Sequence, residues 1–222
     1  MNDSTTCCIA GGGPAGIMLG FLLARAGVDV LVLEKHKDFF RDFRGDTIHP
    51  STLELMYELG LLEDFLGQPH QEVREIQAHF GDQVRHIADL SQLPTHCKFI
   101  ALMPQWDFLN FLSGRAQRFP NFRLRMQADA TDLLFSDRPF EDPLRENGRV
   151  VGVKARTPEG SLEVRAELVV AADGRSSTLR QRAGLEVIDL GAPMDVLWFR
   201  LSRKSGDPPQ AFGFVSAGQF MC

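Results

Sequence analysis

Tyrosine, tryptophan and cysteine are scarce in this chain, which has one Tyr, two Trp and four Cys among its 222 residues. The cysteines are Cys7 and Cys8 side by side, Cys97 alone and Cys222 at the end, spaced neither as a disulfide framework nor as a zinc site. A reducing, cytoplasmic setting is the expectation. The histidines, at 36, 49, 70, 79, 86 and 96, include no i,i+4 pair and accompany no Cys-x-x-Cys, so no metal centre is expected. No apolar run approaches the ~20 residues of a spanning helix. The opening MNDSTTCC also lacks the basic region of a secretory leader, so membrane insertion and secretion both go unsupported. Charge is not blocked by sign: 24 Lys and Arg are interspersed with 29 Asp and Glu for a net charge of -5. That pattern leaves no electrostatic footprint for nucleic acid or an anionic membrane, and makes a small-molecule ligand the default. Internal repeats are absent, and with no G-x-S-x-G elbow around Ser176 or Ser177 a serine nucleophile has no support.

What the chain does have is 44% hydrophobic residues and 20 glycines. That is enough apolar material for a sizeable core, in one large domain or one and a half ordinary ones. Thr5 to Ala10 is a short β-forming run that ends in Gly11-Gly12-Gly13-Pro14-Ala15-Gly16. From Pro14 to Ala26, apolar positions at Ile17, Gly20, Phe21 and Ala24 predict one helical face, with Gly27 as its C-terminal cap. Val28 to Leu33 has the continuous apolar pattern of a parallel strand buried on both faces, and Glu34 ends it. The first 34 residues therefore read as a βαβ unit.

Further on, a helix starts at Pro50. Strand-like pieces lie around Ile76 to Phe80, Val84 to Ile87 and Phe99 to Leu102, and a helix runs from Pro104 to Phe119. Strands are expected at Phe122 to Met126 and Ala130 to Phe135, then a surface loop over Ser136 to Asn147. Pro158-Glu159-Gly160 joins Arg149 to Thr157 with Ser161 to Val164 as a hairpin. Leu168 to Ala172 reads as a separate buried strand before Asp173-Gly174, and Ser176 to Ala183 as a helix closing on Gly184. Val196 to Leu201 and Ala211 to Val215 look like strands again.

Gly11-x-Gly13-x-x-Gly16 alone would be a weak signal, because a glycine turn after a strand is common. Here it stands between a strand and a helix, with an acidic residue, Glu34, about 20 residues on at the end of the second strand. Gly11 permits the tight turn, Gly13 lets backbone approach a pyrophosphate, and Gly16 allows close packing. The positive helix end attracts phosphate, and Glu34 is placed to bind ribose hydroxyls. The ribose of NAD and the adenosine ribose of FAD would suit Glu34 equally.

A second set of segments resembles the class A flavin-dependent aromatic hydroxylases, the family of para-hydroxybenzoate hydroxylase. They are GGGPAG, the LEKH that contains Glu34 and Lys35, Arg44-Gly45-Asp46-Thr47-Ile48-His49-Pro50, and Ala172-Asp173-Gly174-Arg175-Ser176-Ser177. The resemblance spans nearly the whole chain. It implies an α/β fold: a Rossmann-like FAD-binding domain (residues 1-72 and 103-185) interrupted by a mainly antiparallel β-sheet substrate domain (73-102 and 186-222). It implies FAD as cofactor, contacted by the Gly11 to Gly16 turn, Glu34 and Lys35. Arg44 beside Gly45 would act as a phosphate clamp, and Gln105 would lie on the flavin side. The backbone of Ala130 would meet the adenine, and Asp173 and Gly174 would lie by the pyrophosphate and ribose. The reaction implied is hydroxylation of a small aromatic substrate with NADH or NADPH and dioxygen through a flavin C4a-hydroperoxide. Family members are often dimers, which makes a homodimer the oligomeric expectation. For Asp173-Gly174 the plain alternative is a strand-ending turn with Ser176 or Ser177 capping the next helix.

Relatives carry a third flavin motif, Gly-Asp before a small-residue helix, that is absent here. The expectation is a chain truncated at the C-terminus that alone binds FAD poorly and hydroxylates nothing. Competing readings are another FAD-dependent reaction on the same scaffold, such as epoxidation or prenyl-lipid reduction, and a catalytically incompetent FAD-binding fragment. A third is an NAD-dependent dehydrogenase, which should continue with further parallel βα units rather than the β-rich segment from Val73. Halogenation is disfavoured because Trp106 and Trp198 stand in unrelated contexts.

Overall fold

The computed structural model describes residues 1-40, 46-136, 148-191, 196-197, 202, 204, 206 and 211-221. It separates into two compact units, one of residues 1-40 and 109-195, the other of 41-108 and 196-222.

The first unit is built on six strands: β1 (Asn2–Ala10), β2 (Val30–Leu33), β8 (Phe122–Arg125), β9 (Asp129–Phe135), β10 (Val150–Thr157) and β11 (Gly160–Ala171). Their order is β8-β2-β1-β11-β10-β9. The pairs β8/β2, β2/β1 and β1/β11 are parallel, and β10 runs antiparallel to both its neighbours. Parallel neighbours need a covering crossover. That is the work of α1 (Pro14–Arg25), whose Ile17, Phe21 and Ala24 are buried as its spacing predicts. Gly20 brings α1 close to the sheet: a methyl group there would sit 2.8 Å from the Phe122 ring and 2.9 Å from Val32 Cγ2.

A second buried cluster joins Cys8, Ala10, Leu31 and Leu33 to Leu133, Val153 and Leu162, with Leu179 of α5 (Thr178–Arg182) packed among them. Each fully buried side chain of this size contributes roughly 1.5–3 kcal/mol. Two expected strands, Ser161 to Val164 and Leu168 to Ala172, prove to be the single twelve-residue strand β11. The polar residues between them, Arg165 and Glu167, are exposed on an otherwise continuous ladder with β1. The expected loop over 136-147 lies, beyond Ser136, outside the described residues.

At the opposite end of the parallel strands Arg123 ties three segments together. Its Nη1 donates to Asp3 Oδ1 and Oδ2 at 2.8 and 3.0 Å, while Nη2 donates to the Ser4 carbonyl at 2.7 Å and Asp29 Oδ2 at 3.3 Å. Burial pulls the Asp3 carboxyl upward, but hydrogen bonds from Arg123 and the Ser4 N–H, with the guanidinium charge, hold it below its usual 3.8.

The second unit holds α2 (Pro50–Glu58) and α3 (Leu62–Leu66), then a three-stranded antiparallel sheet of β3 (Thr47–Ile48), β7 (Ile100–Leu102) and β4 (Gln71–Val73) in that order. A four-stranded sheet has the order β13-β12-β5-β6, formed by β13 (Gln219–Met221), β12 (Ala211–Ser216), β5 (Glu75–Phe80) and β6 (Gln83–Asp89). Its pairs are antiparallel except β12/β5, which is parallel, so the mainly antiparallel expectation holds with that exception. Phe65 and Phe108 meet edge to face at 5.8 Å in this unit's core. Tyr57 is half exposed and stacks on His96, whose Nδ1 and backbone N–H both meet the Glu54 carboxylate. The helix α4 (Gln105–Ala116) lies within the expected Pro104 to Phe119 and is shorter at both ends. Of the strand expected over 196-201, Val196 and Leu197 are not in a strand, and 198-201 lie outside the described residues.

Two stability measurements follow from these contacts. Gly20→Ala overpacks α1 against Phe122 and Val32, and thermal melting should show a loss of about 1–3 kcal/mol. Asp3→Asn should cost no more than about 1 kcal/mol near neutrality, because the pair is part exposed. The folded-state carboxyl titrates below its unfolded value, so this contribution is present above pH ~4 and lost as pH falls through the folded value. Denaturant melts of the two proteins should therefore converge under acid.

Candidate nucleotide site

The carboxyl ends of β1, β2 and β11 lie side by side, where open α/β sheets bind ligands. The register pairs Ala10 with Leu33 on one side and with Ala171 on the other. The turn after β1 is fastened by hydrogen bonds from Gly11 N–H to the Leu33 carbonyl at 2.8 Å and from Ala172 N–H to the Ala10 carbonyl at 2.7 Å. Two motifs about 160 residues apart in sequence thus form one structure.

The glycines at 11 and 16 are dictated by contact. Gly11 has φ +108°, and a Cβ on it would fall 2.2 Å from the Ala172 carbonyl oxygen. A Cβ on Gly16 would fall 1.9 Å from the Gly11 oxygen, so helix and turn are at their closest approach there. A Cβ on Gly12 would press on Glu34, at 2.9 Å from its Cβ. Gly13 differs: a Cβ there meets nothing within 4 Å. The open side of the turn is therefore at Gly13, the N-cap of α1, next to exposed Pro14 and Ala15. The first helical turn has no acidic side chain and no side-chain cap, so its N–H groups and positive dipole end remain to be met by an anion.

Glu34 is 7% exposed. Its Oε2 accepts the Gly12 N–H and its Oε1 the His36 N–H, both at 2.9 Å. Backbone bonds clamp the same residue: Glu34 N–H donates to the Arg125 carbonyl at 2.9 Å and the Glu34 carbonyl accepts from Ala128 N–H at 2.8 Å. The next residue, Lys35, is exposed.

Asp173 and Gly174 follow Ala172 directly, and Gly174 takes φ +90°. The Asp173 side chain is engaged as a helix cap: Oδ1 accepts from Ser177 Oγ and Oδ2 from Leu179 N–H at 3.1 Å, while Ser177 Oγ accepts from Arg180 N–H at 3.0 Å. The capping alternative is thus what these side chains do, and the Asp173 backbone N–H lies beside Gly11. Ala130 of β9 pairs with Ala155 of β10 and packs on the core cluster, whereas Arg125, Gln127 and Ala128 bond to the Glu34 segment. Gln105 opens α4 in the second unit, and Arg44 and Gly45 lie outside the described residues.

Sequence reasoning missed Ala172, His36 and the 127-128 turn because all three act through backbone atoms. Only Ala172 had a signal, a small residue at a strand end beside Asp-Gly. Arg180 was missed as well: its Nη2 donates to the Arg175 carbonyl at 2.6 Å, and its buried Nε has no acceptor among the described residues.

Donor-rich helix end, buried carboxylate and open glycine fit the adenosine diphosphate portion of a dinucleotide. Comparison with known proteins agrees. A family model described as "FAD binding domain" matches residues 4–214. The chain is 30% identical over 203 residues to 6-methylpretetramide 4-monooxygenase of Streptomyces rimosus, covering 89% of this chain and 45% of that protein. It is 30% identical over 206 residues to dialkyldecalin synthase of Streptomyces rugosporus, covering 92% of this chain and 40% of that protein. The crystal structure of p-nitrophenol 4-monooxygenase from Pseudomonas putida DLL-E4 superposes with a TM-score of 0.69 at 24% identity, covering 82% of this chain and 44% of that one. The chain thus spans less than half the length of these relatives.

The glycine contacts separate folding from binding. Gly11→Ala meets backbone and should lower thermal stability by more than about 2 kcal/mol. Gly13→Ala meets nothing and should melt within a few degrees of the wild type, yet weaken binding of an adenine dinucleotide about tenfold or more in a fluorescence titration.

Proposed function

Because the chain belongs to the FAD binding domain family, that of the class A aromatic hydroxylases, we propose that the protein is an FAD-dependent monooxygenase. It uses NADH or NADPH and dioxygen to hydroxylate a small aromatic substrate. The observation that carries this reading is the convergence of the open Gly13 turn, the buried Glu34 carboxylate and the Ala172-Asp173 backbone at one end of the parallel sheet. The aromatic substrate class is drawn from relatives whose names specify 6-methylpretetramide and p-nitrophenol.

The residues divide the work by chemistry. The N–H of Gly13 and those in the first turn of α1 hold the diphosphate, where neutral donors and a helix dipole offset its charge. Glu34 accepts hydrogen bonds from the adenosine ribose hydroxyls, Lys35 stands at its rim, and Asp173 and Gly174 bound the cofactor with backbone atoms. Arg44, Gly45, Gln105 and Ala130 complete the proposed cofactor set. When bound, FAD supplies the redox chemistry that couples nicotinamide oxidation to dioxygen. Residues 73-102 and 186-222 present the aromatic substrate and exclude water from it. Cys7, Cys8 and Cys97 take no part: burial pushes all three thiols up, Cys8 to about 12, which leaves them without thiolate character.

An absorbance spectrum of the purified full-length protein should show flavin bands, and its NAD(P)H oxidation in air should be stimulated by p-nitrophenol or another phenol. Flavin without such turnover would favour a role nearer that of the synthase relative. Nicotinamide binding without flavin would turn the reading to a dehydrogenase.

A further inference from the structure

Gln127 has φ +55° and is the one non-glycine residue with positive φ among the described residues. Its side chain is exposed, so packing does not impose this conformation. The cause lies in its hydrogen bonds. Gln127 N–H donates to the His36 carbonyl and Ala128 N–H to the Glu34 carbonyl, both at 2.8 Å. In an extended strand successive N–H groups point to opposite edges. Two consecutive N–H groups can serve the same neighbouring segment only if the backbone between them leaves the extended region, and Gln127 does so by turning left-handed. Just before it, the Arg125 carbonyl accepts the Glu34 N–H as the last rung beside β2 and β8. The segment 125-128 therefore closes around residues 34-36.

A relay connects this turn to the candidate site. Gln127 N–H holds the His36 carbonyl, the N–H on the other side of the same residue holds Glu34 Oε1, and Oε2 receives the Gly12 N–H of the glycine turn. We propose that Gln127 is a positioning residue of the nucleotide site: its left-handed backbone aims the Glu34 carboxylate, and so governs discrimination for the ribose 2′-hydroxyl. This rests on the FAD reading for its ligand, while its structural half stands apart from any ligand. A left-handed backbone is disfavoured for a non-glycine residue, and such strain persists where the surroundings over-determine it. A glycine at 127 would relieve that strain without altering the bonds. A β-branched residue resists positive φ and should open the relay.

The test compares wild type, Gln127→Gly, Gln127→Ala and Gln127→Val in the 222-residue chain. It combines amide hydrogen exchange without ligand and NMR titration with ADP and 2′-deoxyADP, the nucleotide half of the cofactor. In Gln127→Val, the His36 and Gly12 amides should lose about tenfold in protection while the β1 and β11 ladder amides keep theirs. The preference for ADP over its 2′-deoxy form should shrink in the same variant. Gln127→Gly and Gln127→Ala should behave like the wild type, which excludes a role for the side chain. Unchanged protection at His36 and Gly12 in Gln127→Val, or loss spread evenly through the unit, would overturn the positioning role. If the amide effect appears but wild type itself does not distinguish the two nucleotides, the ribose assignment fails and the FAD reading of Glu34 fails with it.

Discussion

A carboxylate buried among backbone N–H groups is the constraint around which the first unit is arranged. Glu34 ends β2 at the same level as the turn that ends β1, and its oxygens bind Gly12 on one side and His36 on the other. An anion at 7% exposure is tolerable only where polar partners surround it. Those partners exist because the neighbouring backbone comes unusually close. The approach at Gly12 leaves no room for a side chain, the turn at Gly11 needs positive φ against Ala172, and Gly16 needs contact with Gly11. Removing any of these approaches would strand either the carboxylate or a backbone group. What the arrangement leaves unfilled is Gly13 and the first turn of α1, the region with positive potential and spare donors.

The parallel core of the fold was legible because its signals are local and periodic. The valine and leucine run of β2, the helical spacing of Ile17, Phe21 and Ala24, and the glycine turn each specify their own conformation, and together they specify a βαβ unit. β11 was split in two at Arg165 to Glu167 because charged residues interrupt the pattern. In the structure they simply occupy the exposed positions of one long strand. The parallel β12/β5 pair was not legible, because nothing in Ala211 to Ser216 encodes its distant partner.

For the site, residues whose role depends on lacking a side chain were legible, and those acting through carbonyl or N–H groups were not. The spacing of Gly11, Gly13 and Gly16 carried the first kind, and Glu34 was legible as the acidic residue at the end of β2. Gln127, His36 and Ala128 belong to the second, since any residue type supplies the same backbone atoms. Asp173 shows the intermediate case. Its identity is explained by capping α5 with Ser177, and its place in the site by the strand that delivers it beside Gly11. Its side chain thus serves the fold, and its backbone is the part that the proposed function assigns to the cofactor.

The central claim is that Gly11 to Gly16, Glu34 and Ala172 to Gly174 form a single FAD nucleotide site. Amide NMR of the 222-residue chain titrated with FAD tests it most directly, since even weak binding registers in the spectrum. The account predicts that shifts concentrate in these three segments and move together along one binding curve. Shifts centred elsewhere, or three segments responding with separate curves, would contradict it.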